Sequence, residues 1–263
     1  MRGDIGWVGM FTSLVLVAIA VGISIARNLG LAQGMIWASA RAMAQLLLVG
    51  LVLKFLLAKN QHIVWSWAWV FGMVIIAAIT VARRAREVPA VFWLALAALG
   101  ASAAVALGVL FALRIFPLEP RTLVPLSGIM IGNAMTSAVV VSRRVFEELR
   151  AKRDEVEARL ALGLSSADAA LPYVRSAMCT ALIPQIETTK AVGLVALPGA
   201  MTGLILAGYD PFKAVLVQVA VMYLVLGSVA VTTFVVGFGV RQRMFTSDHR
   251  LVIESKKVGS LKA

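Results

Sequence analysis

Few residues in this chain could carry chemistry, and their placement narrows what that chemistry is. Asn133, Gln185 and Glu187 lie within or beside long apolar runs, and Gln45 lies inside another, one turn from Arg41. Polar side chains at membrane depth are expensive, and they mark ion paths, gates or paired contacts. Glu187 and Lys190 are three apart and can pair, which is the structural alternative for Glu187. Met43, Met130, Met135, Met178, Met201 and Met222 could offer soft thioether ligands to a metal in transit, although methionine is also the usual gap-filler of a core. Two of them share a pattern. Gly128-Ile-Met130-Ile-Gly132 and Gly199-Ala-Met201-Thr-Gly203 are each G-x-x-x-G, preceded by Pro125 and Pro198. That spacing lets helix backbones approach, and Gly/Pro-interrupted apolar elements in corresponding positions point to a transport site. The candidate translocation residues are therefore Gln45, Met130, Asn133, Gln185, Glu187 and Met201. The candidate packing glycines are Gly128, Gly132, Gly199 and Gly203.

Other chemistries find no residues to carry them. Cys179 is the single cysteine, and His62 and His249 are far apart in the chain, so no zinc or iron–sulfur ligand set and no intramolecular disulfide is possible. A Walker A loop is absent, so this chain does not hydrolyse ATP by that route. No nucleophile–base pair marks an enzyme. Glu119, between prolines and near Arg121, reads as an ion pair or solvated turn, because hard cations need several oxygens. A metal site stays undefined, and no cofactor is expected.

The elements that must position these residues are membrane helices. The chain has 263 residues, is 60% hydrophobic and has a mean hydropathy of +0.91. Continuous charge-free runs of about 20 residues match a bilayer core of roughly 30 Å, where helices satisfy the backbone. The reading is all-α and polytopic, with seven spans at about 7–26, 35–58, 61–82, 89–113, 122–142, 187–209 and 214–240. One transmembrane domain covers 1–245, with a polar segment at 143–186, and a basic tail follows at 246–263. Arg2 and the first run also fit a signal peptide with Ala18-Ile-Ala20 as cleavage site, but the run is long for one. The net charge of +12 would suit nucleic acid if it were one surface, but the charges cluster between the apolar runs. Nineteen of the 25 lysines and arginines fall on one side of the expected topology, which becomes the cytoplasmic side, with the N-terminus outside.

The polar segment is the odd piece in an apolar chain. Residues 143–162 read as an exposed helix continuing the fifth span. Val145, Leu149, Val156 and Leu160 form one stripe on it, and Glu148–Lys152 and Glu155–Arg159 are i,i+4 pairs. Gly163 breaks that helix. Ser165-Ser-Ala-Asp168 is a capping box that starts a new helix near Ser166, which Pro172 should limit or bend. A short small-residue helix on the cytoplasmic face suits insertion into a partner's groove. Its docking residues would be Ala161, Gly163, Ser165, Ala167 and Asp168. An interfacial elbow is the alternative.

Glu157-Ala-Arg-Leu-Ala-Leu-Gly163 loosely resembles the EAA-x3-G loop of ABC-transporter permeases, which docks on the nucleotide-binding subunit. Beyond Gly163 the register departs, since Pro184 comes later than the usual proline. A resemblance along nearly the whole chain is more specific. It rests on Arg41-Ala-Met-Ala-Gln45-Leu-Leu-Leu-Val-Gly50, Pro125-Leu-Ser-Gly-Ile-Met-Ile-Gly-Asn-Ala-Met135, Arg159-Leu-Ala-Leu-Gly163, Ile183-Pro-Gln-Ile186 and Gly193-Leu-Val-Ala-Leu-Pro-Gly-Ala-Met-Thr-Gly203. In that order these motifs are similar to the FetB-type (UPF0014) permeases. The resemblance implies an iron-export permease subunit in the bacterial inner membrane, driven by a separate ATPase and working as a homodimer. It also leaves open another substrate, such as a sugar nucleotide. An ATP-independent carrier or a membrane scaffold is the competing reading.

Overall fold

The computed structural model describes residues 7–58, 62–193, 197–246, 248, 250 and 251, and every extended element among them is an α-helix. The chain divides into two compact units, residues 1–62 and 63–263.

The first unit holds α1 (Trp7–Ala26) and α2 (Ala32–Leu56), which pack on each other. Gly30, at φ +68°, makes the turn between them. On α2 only Leu56 is buried, while Trp37, Leu46, Leu48 and Leu51 are exposed. A helix that is apolar all round and exposed is stable only in a hydrocarbon solvent or under a partner.

The second unit is a bundle of α3 (Ile63–Arg84), α4 (Val91–Ala112), α5 (Pro120–Ala151), α6 (Arg153–Ala161), α7 (Ser166–Ala191), α8 (Gly199–Leu206) and α9 (Pro211–Arg243). Helices α5 and α9 lie at its centre: α9 touches α4, α5, α7 and α8, and α5 touches α3, α4, α6, α7 and α9. Two buried hydroxyl contacts tie them in. Ser137 Oγ and Thr233 Oγ1 are 2.7 Å apart between α5 and α9. Ser102 Oγ of α4 donates to the Ser228 carbonyl of α9 at 2.9 Å. In a membrane protein such contacts and small side chains stand in for the missing hydrophobic drive. Close approach does the rest: a methyl on Gly237 would meet the Met178 thioether, and one on Gly239 would meet the Leu94 side chain.

Local signals set the helix starts. Glu119 precedes α5, with its N–H on the Thr122 hydroxyl at 3.3 Å, so this acid serves as an N-cap residue. Asp210 caps α9 by accepting from the Lys213 N–H at 3.0 Å, with Pro211 at the first position.

Three expected boundaries change. The helix expected over 143–162 is interrupted at Lys152, where α5 ends and α6 begins. The break redirects α6 so that Val156 can bury beside Val145 and Leu149 in one core. Pro172 does not limit the next helix: α7 continues through both Pro172 and Pro184 for 26 residues. An interior proline costs about 3 kcal/mol, but Ala169, Ala170, Val174, Ala177, Met178 and Ala181 form a continuous buried stripe that holds the helix together. The expected sixth span, 187–209, is not one helix. It comprises the end of α7 and the short α8, with Gly193 at φ +90° where the chain leaves α7; residues 194–196 lie outside the described set. Five described helices are long and apolar enough to cross a membrane (α2, α3, α4, α5 and α9), and α1 adds a shorter apolar run, Leu14–Ala26. The molecule is an all-α polytopic membrane protein. Most of the expected basic tail, 246–263, lies outside the described residues.

Overfilling a packed site costs typically about 1–3 kcal/mol. Gly239→Val should therefore lower the melting temperature of the purified chain in detergent. Gly108→Val, at an exposed position on α4 where an added Cβ meets nothing within 4 Å, should leave it nearly unchanged.

Candidate functional site: the α6–α7 hairpin and the α5–α7 face

The α6–α7 hairpin closes through residues 162–165. Gly163 takes φ +88°, a left-handed conformation that favours glycine and ends α6. Ser165 then caps α7: its Oγ accepts from the Asp168 N–H at 3.2 Å and donates to the Asp168 carboxylate at 2.6 Å. The expected docking residues fall together on this turn. Ala161, Gly163, Ser165 and Asp168 are exposed, and Ala167 is half-buried. Between them stands Leu162, 81% exposed, with Leu164 also exposed. Beneath the turn, Val156, Ala169, Ala170 and Val174 are completely buried.

A polar seam joins the two arms. The i,i+4 pairs expected at Glu148–Lys152 and Glu155–Arg159 are not the ones that form, because the elbow at Lys152 and the arrival of α7 redirect these side chains. Lys152 instead pairs with Glu155 at 2.7 Å, and Arg153 with Glu157 at 2.6 Å. Tyr173 of α7 donates its hydroxyl to the other Glu155 oxygen at 2.9 Å. The Arg159 guanidinium lies over the Tyr173 ring, 5.7 Å from its centroid. The Lys152 ammonium first, and then the Tyr173 hydroxyl, hold the Glu155 carboxyl below its ordinary range. At the same end of the bundle, Arg143 Nε donates to the Arg84 carbonyl at 2.8 Å, and Arg243 donates to the Pro89 and Ala90 carbonyls. These bonds fix the α3–α4 connection to α5 and α9.

The expected translocation residues do not all share one place. Pro125, Ile129, Gly132, Asn133 and Thr136 are exposed along one side of α5. Ser176, Thr180, Ile183 and Glu187 are exposed along one side of α7, which packs on α5. The hydroxyls on these faces are satisfied within their own helices: Thr136 donates to the Gly132 carbonyl at 3.1 Å and Thr180 to the Ser176 carbonyl at 3.0 Å. The Asn133 amide donates to the Ile129 carbonyl at 2.8 Å. Glu187 pairs with Lys190 at 2.8 Å, and Gln185 is half-buried. Met130 is completely enclosed by the core and Met201 is nearly so, which puts both thioethers among packing contacts. Gln45 belongs to the first unit, exposed on α2. Among the described residues, a Cβ built on Gly128, Gly132, Gly199 or Gly203 would meet no other helix within 4 Å. An apolar groove of about 560 Å³ between α3 and α4, lined by Trp67, Phe71, Leu96, Gly100, Leu107 and Phe111 among others, presents no carboxylate or thioether. Among the described residues, no three His, Cys, Asp or Glu gather as a metal site.

A family model described as "Uncharacterised protein family (UPF0014)" matches residues 7–245. The chain belongs to this family. Its UPF0014 relatives include the rice membrane protein STAR2, 38% identical over 87% of this chain and 80% of its own length. Another is Protein ALUMINUM SENSITIVE 3 of Arabidopsis thaliana, 33% identical over 94% of this chain and 90% of its own. The Escherichia coli protein named "Probable iron export permease protein FetB" is 29% identical over 93% of this chain and 94% of its own. No solved structure matches. Of these three, one is named as a membrane protein and one as a permease, and all match this chain across both of its units.

Some residues of this UPF0014 chain escape a reading of spacing. Leu162 and Tyr173 gain their roles only when α6 folds back on α7. Gln218 is different: it is 5% exposed on α9, its side-chain oxygen has no hydrogen-bond partner among the described residues, and it interrupts an apolar run in the same way as Gln45.

A carboxyl with a lowered folded value contributes stability above its unfolded value and loses it as pH falls through the folded one. Glu155→Gln should melt below wild type at pH 6, and the difference should shrink once pH drops under the ordinary value of 4.5. Thermal unfolding in detergent at the two pH values checks this.

Proposed function

We propose that this chain is the permease subunit of an ABC transporter, moving iron or a related metal out of the cell with a separate ATPase subunit. The observation that carries the reading is the α6–α7 turn, where a leucine stands 81% exposed on a polar hairpin whose arms are joined by the Tyr173–Glu155 hydrogen bond. An exposed leucine framed by Gly163 and the Ser165–Asp168 cap is the shape of a plug for a partner's groove. The positive-inside count supports a cytoplasmic place for this turn. The name of the E. coli relative, an iron export permease, supports iron as the cargo.

The same reading makes the chain a homodimer. In the isolated chain, Gly132, Asn133 and Thr136 of α5 and Ser176, Thr180 and Glu187 of α7 are exposed. Such residues facing lipid are costly. A second copy across this face would enclose them as a path, and would give Gly128 and Gly132 the close neighbour their own chain does not supply. Asn133, Gln185 and Glu187 are the proposed path residues. ATP-driven closure of two ATPases would move the hairpins, and α5 and α7 would alternate access.

The purified chain alone should show no ATPase activity. In a co-purified complex, Leu162→Glu should weaken retention of the ATPase by roughly tenfold or more, since burying a leucine is worth about 1.5–3 kcal/mol. Replacing Ala167 and Asp168 with bulky or opposite-charge residues should uncouple the complex. Normal retention and stimulation in these variants would place docking elsewhere. Vesicles holding both subunits should move ferrous iron in an ATP-dependent manner, and Glu187→Gln should slow it. Transport of a sugar nucleotide and of no metal would overturn the metal assignment while leaving the permease reading intact.

A further inference from the structure

We propose that Tyr173 and Glu155 form a clasp that carries movement of the 162–165 turn past a weak point in α7. The inference rests on the docking reading above and deepens it by naming how the docked turn is connected to the membrane part of the bundle.

The weak point is Pro172. It has no N–H to give the Asp168 carbonyl, so the helix ladder is interrupted just after the first turns of α7. Those first turns carry the Ser165–Asp168 cap and adjoin Leu162. A push on the turn, transmitted along α7 alone, would meet this interruption and be absorbed as a local bend. Tyr173 is the next residue. Its hydroxyl donates to Glu155 of α6 at 2.9 Å, and Arg159 of α6 lies over its ring at 5.7 Å. Glu155 is itself held by Lys152, at the α5–α6 elbow, at 2.7 Å. The turn is therefore joined to α7 beyond Pro172 by a second route, through α6. Below the seam, Val156 and Val174 are fully buried, so the two arms are also packed together. Lys152, Glu155 and Arg159 recur at intervals of three and four and lie along one side of α6. Among the described residues, Tyr173 finds its polar partners on this ladder, Glu155 at its hydroxyl and Arg159 over its ring. In this arrangement Tyr173 and Glu155 are positioning residues: they touch neither ATP nor cargo, and they keep the hairpin and the span moving as one body.

The test uses the full chain and its co-purified ATPase in nanodiscs, reading retention of the ATPase and stimulation of its ATP hydrolysis separately. Tyr173→Phe keeps the ring under Arg159 and removes the hydroxyl. Retention should be unchanged, while stimulation should fall by roughly three- to tenfold, the loss expected for one exposed hydrogen bond to a charged group. Glu155→Gln keeps an acceptor for Tyr173 and should retain most of the stimulation. Glu155→Leu removes the acceptor and should behave like Tyr173→Phe. The double variant Tyr173→Phe, Glu155→Leu should be no worse than either single one. Wild-type stimulation in Tyr173→Phe would overturn the clasp and leave the docking reading standing. Parallel loss of retention and stimulation would overturn it as well, since the residues would then shape the dock. If Tyr173→Phe does not fold, the contrast between Glu155→Gln and Glu155→Leu decides the same question. A wild-type chain that neither retains nor stimulates an ATPase would overturn both readings together.

Discussion

The structure depends on helices that outrun the bilayer. Helix α5 has 32 residues, which at 1.5 Å each is about 48 Å, against a hydrocarbon layer of roughly 30 Å. Its charges begin at Arg143 and continue with Arg144, Glu147, Glu148 and Arg150, so the end that leaves the apolar layer is chemically marked. Helix α7, with 26 residues, returns alongside it. Helix α7 starts at the α6–α7 turn and carries Glu187 near its end, and α5, packed beside it, carries Asn133 and Thr136.

What keeps the helices together is small and polar rather than bulky. Ser137 with Thr233, and Ser102 with the Ser228 carbonyl, bind α5 and α4 to α9 inside the bundle. Gly237 and Gly239 let Met178 of α7 and Leu94 of α4 lie against the α9 backbone. In hydrocarbon, leucine gains little by touching leucine, so such contacts and tight packing decide which helices neighbour each other. At the charged end, Arg143 and Arg243 bond to the carbonyls of Arg84, Pro89 and Ala90, and this pins the α3–α4 connection. The frame is therefore stiff where α3, α4, α5 and α9 meet. The α6–α7 hairpin projects from it.

The sequence was legible where the physics is local. The Ser165 cap of α7, the Gly163 break and the apolar stripe of Val145, Leu149, Val156 and Leu160 are short-range patterns, and each is present in the structure, although Asp168 answers the Ser165 hydroxyl rather than its N–H. The length and apolarity of the spans made the all-α membrane class readable too. The continuation of α7 through two prolines was not legible. It depends on a buried alanine stripe whose partners are far along the chain. The G-x-x-x-G pair signals close packing, while the glycines whose Cβ would meet a neighbour among the described residues are Gly237 and Gly239. Their partners, Met178 and Leu94, lie 59 and 145 positions away in the sequence. Asn133 and Glu187 stand out in the sequence because polar groups are rare in such runs, and the structure exposes both, on α5 and α7. Burial of Met130 could not be read from its type, since methionine serves cores and metals alike. Tyr173 and Leu162 gained meaning only from the hairpin's fold.

UPF0014 membership and the exposed hairpin converge on one claim, that residues 162–168 engage an ATPase. Site-specific photo-crosslinking tests it most directly, with a photoreactive amino acid in place of Leu162 in the full-length chain, expressed in its native membrane. The account predicts an adduct containing a Walker A ATPase, and no such adduct from the same probe at Leu216 on the exposed side of α9. An adduct with lipid alone at Leu162, or identical adducts from both positions, would contradict it.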